Sequence, residues 1–304
     1  MPAAPMPSPE VDVDVALVRR LLADQFPDLA GLPIAVVAEG WDNSVFRLGD
    51  DLCVRLPRRT IAVGLAEVEQ RWLPAIAPAL PLPVPAPVGV GQPAHGYPWT
   101  WSVCPWLPGD IAATATLADE REAARQLAEF LTALHRTSPP DAPRNVARGV
   151  PLAVRTPLLH GALDRLADDP VTKVDRDRVV ALWDELVAAP PWAHAPVWVH
   201  GDLHPANMLV DGAGRIAAVI DFGELSAGDP ATDLVIAWML FGAHGRAEMR
   251  ANYRQDDDDT WVRGRAWALA LGVAFLAASA DHPIINGIGA RALAQALDGG
   301  TTRR

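Results

Sequence analysis

The chain has 304 residues, of which 50% are hydrophobic and 21% are charged, a composition that excludes an intrinsically disordered chain. Its 26 basic and 37 acidic residues give a formal net charge of −11, which argues against a protein that binds nucleic acid by neutralising phosphates. The two cysteines, Cys53 and Cys104, are too few for a disulfide framework and indicate a reducing compartment.

The N-terminal stretch MPAAPMPSPEVDVD lacks the basic and apolar regions of a signal peptide, and its composition predicts a frayed tail. The longest uncharged run in the C-terminal part, Ala266 to Ala280, is too short to cross a bilayer and favours a buried helix. We therefore expect a cytoplasmic protein that binds neither a membrane nor nucleic acid.

Short β-branched and apolar runs near the start of the chain predict an antiparallel meander, with glycine- and aspartate-rich turns between them. The runs are Ile34–Gly40, Ser44–Gly49 and Leu52–Pro57. In the third run Cys53 and Arg55 alternate with three aliphatic residues. Because successive strand residues point to opposite faces, we predict that Cys53 and Arg55 lie on the face away from these aliphatic side chains.

Helical spacing of apolar residues begins near Leu65 and is strongest in Leu117–Thr137 and Asp175–Ala189. Ten prolines between Pro74 and Pro108 exclude a long helix there and predict extended segments.

The chain after about Asp229 is again predicted to be largely helical. We therefore predict two lobes: a β-rich N-terminal lobe, residues 1–105, and a mainly helical C-terminal lobe, residues 106–304.

Polar residues with potential chemistry are concentrated between residues 197 and 233. Apolar runs flank a DGAG turn after Val210 and predict a hairpin. Because a hairpin returns the chain to its starting end, we expect Asp202 and Asn207 to lie close to Asp221. Two carboxylates and an amide are oxygen ligands suited to Mg²⁺ and a poor set for zinc.

The spacing H-x-D-x-x-x-x-N from His200 to Asn207, followed by D-F-G from Asp221, matches the catalytic-loop and metal-loop pattern of protein kinases. Phosphoryl transfer requires in-line positioning and neutralisation of charge more than covalent help. We predict that Asp202 orients the incoming hydroxyl and takes its proton. Asn207 and Asp221 are predicted to hold Mg²⁺ against the nucleotide phosphates.

The sequence HGDLHPANMLV, with VIDFGELSAGDPATDL after it, resembles the aminoglycoside phosphotransferase family, the small-molecule branch of the kinase-like fold. The resemblance implies an α+β, bilobal, protein-kinase-like fold with an antiparallel β-sheet in the N-terminal lobe and a mainly helical C-terminal lobe. It implies transfer of the γ-phosphate of ATP or GTP, with Mg²⁺, to a hydroxyl of a small acceptor. Aminoglycoside and macrolide antibiotics, which would make the protein a resistance enzyme, are candidate acceptors, as are other antibiotics, choline-like metabolites and sugar alcohols.

Three more segments extend the resemblance over most of the chain. Gly40–Leu48 is similar to the loop that covers the nucleotide, Trp101–Gly109 to the hinge that holds adenine, and Phe130–His135 to the helix that opens the second lobe. Within these segments, the resemblance implies that the nucleotide is contacted by Ser44, Ser102, Cys104 and Trp106.

One position departs from the family pattern. Kinase-like enzymes of this type carry a lysine on the third strand that contacts phosphate and pairs with a helical glutamate, whereas the single lysine of this chain is Lys173. Arg55 is the cation of the third strand, and an arginine holds phosphate oxygens and stays charged. We predict that Arg55 replaces the lysine and pairs with Glu69, which shares the apolar stripe of its helix. Glu67 lies instead beside Arg71 at i,i+4 and is predicted to be solvated.

Two other interpretations remain open. Without the usual lysine, the chain is alternatively a nucleotide-binding pseudokinase that acts as a scaffold. The cluster of His200, Asp202 and His204 alternatively indicates a metal-dependent hydrolase.

Several polar residues are predicted to be structural. We expect His135 to be a core histidine, His200 to brace the catalytic loop, and Asp229 and Asp233 to cap or brace the helix that follows them. The acidic run Asp256–Asp259 is predicted to be a solvated loop.

Overall fold

The structure is a computed structural model that describes residues 8–167, 169, 172–254 and 257–298, without the side chains of residues 38 and 39. Half of the tail predicted to be frayed, residues 1–7, lies outside the described residues, as does Asp256. The described residues form two compact units. The sheet unit comprises residues 8–108 and 219–223, and the helical unit comprises residues 109–218 and 224–298.

The sheet unit contains five antiparallel strands in the order β1-β2-β3-β5-β4. These strands are β1 (Ile34–Glu39), β2 (Asn43–Leu48), β3 (Leu52–Pro57), β4 (Gly89–Gly91) and β5 (Trp101–Pro105). The predicted antiparallel meander is confirmed for β1, β2 and β3, which are joined by short turns.

Two helices flank this sheet, α1 (Val15–Gln25) and α2 (Thr60–Ile76). Asp14 caps α1 by accepting a hydrogen bond from the Leu17 amide at 2.7 Å. One face of α1 is fully apolar and packs into the main core of the unit, which also includes Val54 and Leu56 of β3. The burial of these two residues confirms the predicted apolar face of the strand, because alternating side chains point to opposite sides of a sheet.

The helical unit contains short strands and most of the helices. Its strands are β6 (Asp110–Ile111), β7 (Val197–Val199), β8 (Met208–Val210), β9 (Ile216–Val219, whose last residue belongs to the sheet unit) and β10 (Ser226–Gly228). Its helices are α3 (Glu120–Leu134), α4 (Thr156–Ala167), α5 (Arg176–Val187), α6 (Ile236–Leu240), α7 (Ala243–Asn252), α8 (Asp258–Ala278) and α9 (Pro283–Asp298).

Helix α8 forms the centre of this unit, and α9 packs closely against it. A Cβ atom added at Gly272 of α8 would lie 2.8 Å from the backbone nitrogen of Leu293 and 3.0 Å from the carbonyl oxygen of Gly289 in α9. The absence of a side chain at Gly272 therefore allows the two backbones to approach each other. Among the described residues, α8 is also the one helix long and apolar enough to cross a membrane, but 72% of its apolar window is buried within the protein.

The acidic run before α8 corrects one expectation. Asp257 caps the helix by accepting a hydrogen bond from the Thr260 amide, and Asp258 and Asp259 form the first helical turn. These residues are exposed, as expected, but they form the start of a helix and not a loop, because acidic side chains at a helix N-terminus accept from free amides and interact favourably with the helix dipole.

Candidate active site

The predicted catalytic loop, residues 200–207, begins at the end of the buried strand β7. The His200 and Gly201 amides both donate to the carboxylate of Asp233, at 2.7 and 2.9 Å. Gly201 has φ = 84°, and a Cβ atom there would lie 2.5 Å from the carbonyl oxygen of Glu224. The turn therefore requires a glycine, and its position is fixed through the backbone.

The Asp233 carboxylate that holds this loop is itself fully buried. Its Oδ2 lies 3.0 Å from Nε2 of His135, and Nδ1 of His135 lies 2.6 Å from the Tyr253 hydroxyl. His135 is thus the core histidine that the sequence predicts. Asp233 is a brace, as expected, but of the catalytic loop and not of the following helix. Asp229 does cap the next helical turn, through the Ala231 amide.

Asp202 is the predicted base, and its side chain is 28% exposed. One oxygen lies 3.1 Å from Nη2 of Arg148, and the other lies 3.5 Å from Nε2 of His204. Burial alone would raise the pKa of Asp202, but His204 and Arg148 outweigh it and hold the pKa well below its usual range. The carboxylate is therefore ionised at neutral pH and able to accept a hydrogen bond.

Asn207 ends the short 3-10 helix Pro205–Asn207 and is buried. Its amide nitrogen Nδ2 donates to the backbone carbonyl of Asp202 at 2.9 Å. This bond orients the side chain, and no described residue donates a hydrogen bond to Oδ1. The amide oxygen is consequently available as a hard ligand.

The predicted hairpin after Asn207 is confirmed, because β8 and β9 are neighbouring strands. Asp221 follows the second strand and belongs to the sheet unit. It is exposed and has φ = 65°, a left-handed conformation that aspartate tolerates better than most residues. Its carboxylate makes no hydrogen bond or ion pair with the described part of the chain, so both oxygens are free.

Within the sheet unit, Arg55 and Glu69 form an ion pair, with Nη1 and Oε2 2.7 Å apart. The other oxygen of Glu69 accepts a hydrogen bond from the Phe222 amide, also at 2.7 Å. Burial alone would lower the pKa of Arg55, but the Glu69 carboxylate outweighs it and raises the pKa above its ordinary value. The predicted choice of Glu69 over Glu67 is confirmed, because Glu67 is exposed.

Strand β5 places two more of the predicted nucleotide residues beside Arg55. Ser102 is directly opposite Arg55 in the sheet and accepts a hydrogen bond from the Gln70 side chain at 3.0 Å. Cys104 is opposite Cys53, and burial raises the pKa of its thiol to about 12. Directly opposite residues share a face of the sheet, so these side chains lie on the Arg55 side.

Trp106 is covered by Arg47, which lies opposite Cys53 on the Arg55 face, whereas Ser44 lies on the other face of the sheet. The Trp106 ring is covered by the Arg47 guanidinium, whose Cζ is 4.2 Å from the ring centroid. Ser44 is opposite Leu56, on the face that packs against α1, and lines a cavity with Asp14 and other residues of the N-terminal segment. The structure therefore does not bring the Ser44 side chain to the Arg55 face, because the strand alternation directs it to the other side.

The two histidines of the alternative hydrolase cluster are engaged in the loop itself. Nδ1 of His200 accepts from the Asp202 amide, and Nδ1 of His204 accepts from the Ala206 amide, both at 3.2 Å. Across the described ranges, no group of three or more His, Cys, Asp or Glu side chains is arranged to hold a metal ion.

Sequence reasoning missed two contributors to this site. Arg148 belongs to no motif and lies 54 residues before its partner Asp202, so no local pattern points to it. The bond from Glu69 to the Phe222 amide spans 153 residues and involves the backbone, which carries no sequence signal. Only the apolar spacing that buries Glu69 gave a hint of that contact.

Comparison with known proteins gives the family of the chain. Residues 33–267 match the Phosphotransferase enzyme family (APH). Among curated proteins, the uncharacterized protein YcbJ of Bacillus subtilis (strain 168) is 35% identical over 77 residues. That match spans 25% of this chain and 23% of YcbJ.

Several solved structures share the fold. The GDP and kanamycin complex of APH(2")-IIIa superposes with a TM-score of 0.66 at 20% identity, covering 92% of this chain and 97% of that one. The macrolide 2'-phosphotransferase MphH of Brachybacterium faecium gives 0.58 at 22% identity, covering 95% and 99%. The ADP-bound aminoglycoside phosphotransferase APH(2'')-Ib gives 0.59 at 16% identity, covering 93% and 98%.

These matches confirm the predicted α+β, protein-kinase-like fold and the family recognised from the catalytic-loop motif. The chain belongs to the Phosphotransferase enzyme family, a family of small-molecule phosphotransferases.

Proposed function

We propose that the protein transfers the γ-phosphate of ATP or GTP to a hydroxyl of a small molecule, with Asp202 as the base. The observation that carries this proposal is the ionised Asp202 carboxylate at the centre of a loop anchored through its backbone. An ionised carboxylate accepts a hydrogen bond from the acceptor hydroxyl and orients its oxygen toward the γ-phosphorus. A bond then forms between the acceptor oxygen and the γ-phosphorus, the bond to the leaving nucleoside diphosphate breaks, and the hydroxyl proton passes to Asp202.

Arg55 takes the role of the usual lysine in this proposal and binds the nucleotide phosphates. Glu69 fixes the position of its guanidinium, which stays charged at all physiological pH values. Ser102, Cys104 and Trp106 are assigned to nucleotide binding along the hinge strand, whereas the placement of Ser44 on the α1 face gives that assignment no support. Solved relatives bind GDP or ADP, which keeps both donors as candidates.

Asn207 and Asp221 are the residues that would hold Mg²⁺. The free Oδ1 of Asn207 and the free carboxylate oxygens of Asp221 are hard donors of the type that this ion prefers. A bound Mg²⁺ would neutralise negative charge on the nucleotide phosphates.

The acceptor is a hydroxylated small molecule, and antibiotics are one candidate class. A relative in complex with kanamycin and a macrolide 2'-phosphotransferase support aminoglycosides and macrolides as compounds to test, with resistance as the biological role. We place the protein in the cytoplasm, where its nucleotide donor is available.

A nucleotide-binding pseudokinase is the second candidate, because arginine replaces lysine on β3. Such a scaffold would be stabilised against heat by Mg²⁺ with ATP or GTP but would release no nucleoside diphosphate with any acceptor.

The test is release of ADP or GDP, measured with Mg²⁺ and a panel of aminoglycosides, macrolides and small alcohols. Asp202→Asn is expected to lower kcat by about a hundredfold or more, because general base catalysis contributes roughly 10²–10⁴ in rate. Asp184→Asn, at an exposed position of α5, is the matched control and should behave as wild type. Turnover by Asp202→Asn at the wild-type rate would overturn the assignment of the base.

A further inference from the structure

The segment from Pro143 to Gly149 is fixed beside the catalytic loop. The Ala227 amide donates to the carbonyl of Pro143 at 2.8 Å, and the Asp229 amide donates to the carbonyl of Gly149 at 2.9 Å. Both donors lie in or next to β10, which pairs with β7, the strand that leads into the catalytic loop. The segment therefore has both ends attached to the strand pair that positions Asp202.

Gly149 allows the segment to lie close to β10. Its φ is 61°, and a Cβ atom added there would lie 3.0 Å from the Cα of Gly228. A side chain at residue 149 would displace the segment from β10.

Arg148 extends from this segment to Asp202, with Nη2 and Oδ1 3.1 Å apart. Its side chain is 18% exposed, and its Nε is buried with no hydrogen-bond partner. The guanidinium thus has donor capacity left over after its contact with the proposed base, since arginine carries five N–H donors.

An open cavity of about 420 Å³ lies against the same segment. Its lining residues are Arg144, Asn145, Val146, Ala147, Arg148 and Glu224. The Asn145 side chain donates to Glu224 and accepts from the Ala147 and Arg148 amides, which leaves the carboxylate of Glu224 engaged within the wall.

The guanidinium of Arg144 is less engaged than the carboxylate of Glu224. Arg144 is exposed, and its guanidinium makes one long hydrogen bond, at 3.4 Å, to the backbone carbonyl of Ala227. No carboxylate of the described residues pairs with it. Its charge is available to a ligand in the cavity.

A third arginine, Arg155, lies behind the segment and is 6% exposed. It donates to the carbonyl of Ala147 at 3.3 Å, its Nε is buried without a partner, and no carboxylate of the described chain pairs with it. Burial, with the nearby charge of Arg148, lowers the pKa of Arg155 to about 10, so that it is still protonated at neutral pH.

The residues that line the cavity, together with those that contact them, therefore include three guanidinium groups and two carboxylates. The carboxylates are those of Asp202 and Glu224. This local excess of positive charge is opposite in sign to the chain, whose net charge is −11. Such a site repels ammonium groups and attracts anions. Guanidinium groups bind carboxylate and phosphate through two parallel hydrogen bonds.

We infer that Arg144 and Arg148 bind an acceptor that carries an acidic group, a carboxylate or a phosphate, near the hydroxyl that is phosphorylated. The inference rests on the proposed function, because it identifies the class of acceptor that reaches Asp202. It favours hydroxy acids and sugar acids or sugar phosphates over aminoglycosides, whose ammonium groups would meet the arginines.

A matched series of open-chain six-carbon polyols tests this preference: gluconate, sorbitol 6-phosphate, neutral sorbitol and cationic glucamine. Binding is measured by calorimetry at constant ionic strength with Mg²⁺ and ADP or GDP, and turnover by nucleoside diphosphate release, with kanamycin as a further cation. We expect the two acidic compounds to bind at least about tenfold more tightly than sorbitol, and glucamine and kanamycin more weakly than sorbitol. Comparison of gluconate with sorbitol 6-phosphate distinguishes a carboxylate from a phosphate.

Arg144→Ala and Arg144→Glu test the site without touching Asp202. Both should raise the Kd and KM of the acidic compounds by about tenfold or more, with the larger effect for glutamate, while the binding of sorbitol, which has no acidic group, stays unchanged. Arg254→Ala, which removes the same charge from an exposed position of the helical unit, is the control. Arg148→Ala should change kcat as well, because Arg148 also contacts the base.

Three outcomes would overturn the inference. They are no binding of either acidic compound at millimolar concentration, equal binding of the acidic compounds to wild type and to Arg144→Glu, or tighter binding of glucamine or kanamycin than of sorbitol. Failure of the proposed function would give a different experimental result. Acidic compounds would then bind in an Arg144-dependent manner, but no compound would stimulate nucleotide turnover, and the anion site would stand without the reaction.

Discussion

The catalytic loop of the helical unit and the Arg55 position of the sheet unit are held in different ways. Asp233 binds the loop through two backbone amides, so this contact does not depend on the side chains of the loop. Arg55 is held by an ion pair with the side chain of Glu69. A position fixed through the backbone leaves its side chains free for chemistry, whereas one fixed through a charge pair depends on the identity of both partners.

Removal of the Asp233 carboxylate is expected to have the largest effect on stability. Asp233→Ala leaves two buried amides and His135 without their acceptor and should lower the free energy of unfolding by roughly 3–5 kcal/mol. Denaturant unfolding measures the change. Asp233→Asn keeps one carbonyl oxygen and should cost less. A loss below about 1 kcal/mol for Asp233→Ala would contradict the anchoring role.

The ion pair of the sheet unit offers a matched pair of variants. Glu69→Gln leaves the guanidinium of Arg55 without its counter-charge and should destabilise the protein by about 3 kcal/mol and raise the KM for nucleotide. Glu67→Gln, on the exposed side of the same helix, should stay within about 0.5 kcal/mol of wild type. Equal unfolding curves for the two variants would mean that the charge pair does not stabilise this unit.

A smaller effect is expected when the usual cation of the family is restored. Arg55 makes a single contact with Glu69, through Nη1, and a lysine amine can make the same contact. Arg55→Lys should therefore change kcat/KM for nucleotide by less than about tenfold. Arg55→Met, which keeps a similar apolar stem but no charge, should lose more. Turnover that appears only in Arg55→Lys would identify the natural chain as a pseudokinase.

Local patterns in the sequence correctly predicted which faces of a strand and a helix are buried. The apolar face of β3 and the position of Glu69 on α2 both follow from side-chain periodicity, which the packed structure retains. Helix α1 was missed, although Asp14 followed by apolar residues at helical spacing is a helix start. The proline-rich composition just before it favoured an irregular tail.

The candidate site was predictable only as far as its motif extends. Asp202 and Asn207 stand out by spacing, and their predicted roles stay proposals. Arg148 and the loop-bracing role of Asp233 depend on contacts between distant segments, which no spacing rule encodes. Ser44 was assigned by resemblance, and the register of β2 with β3 directs its side chain to the opposite face.

The arginine on β3 also determines which covalent reagents suit this protein. Acylating groups react with amines, but this chain has no lysine before residue 173. An α-dicarbonyl group condenses with guanidinium instead, and under the proposed role of Arg55 a nucleotide that carries one would be directed to this residue. A mixture of kinases could in this way be labelled selectively by the chemistry of one substituted cation.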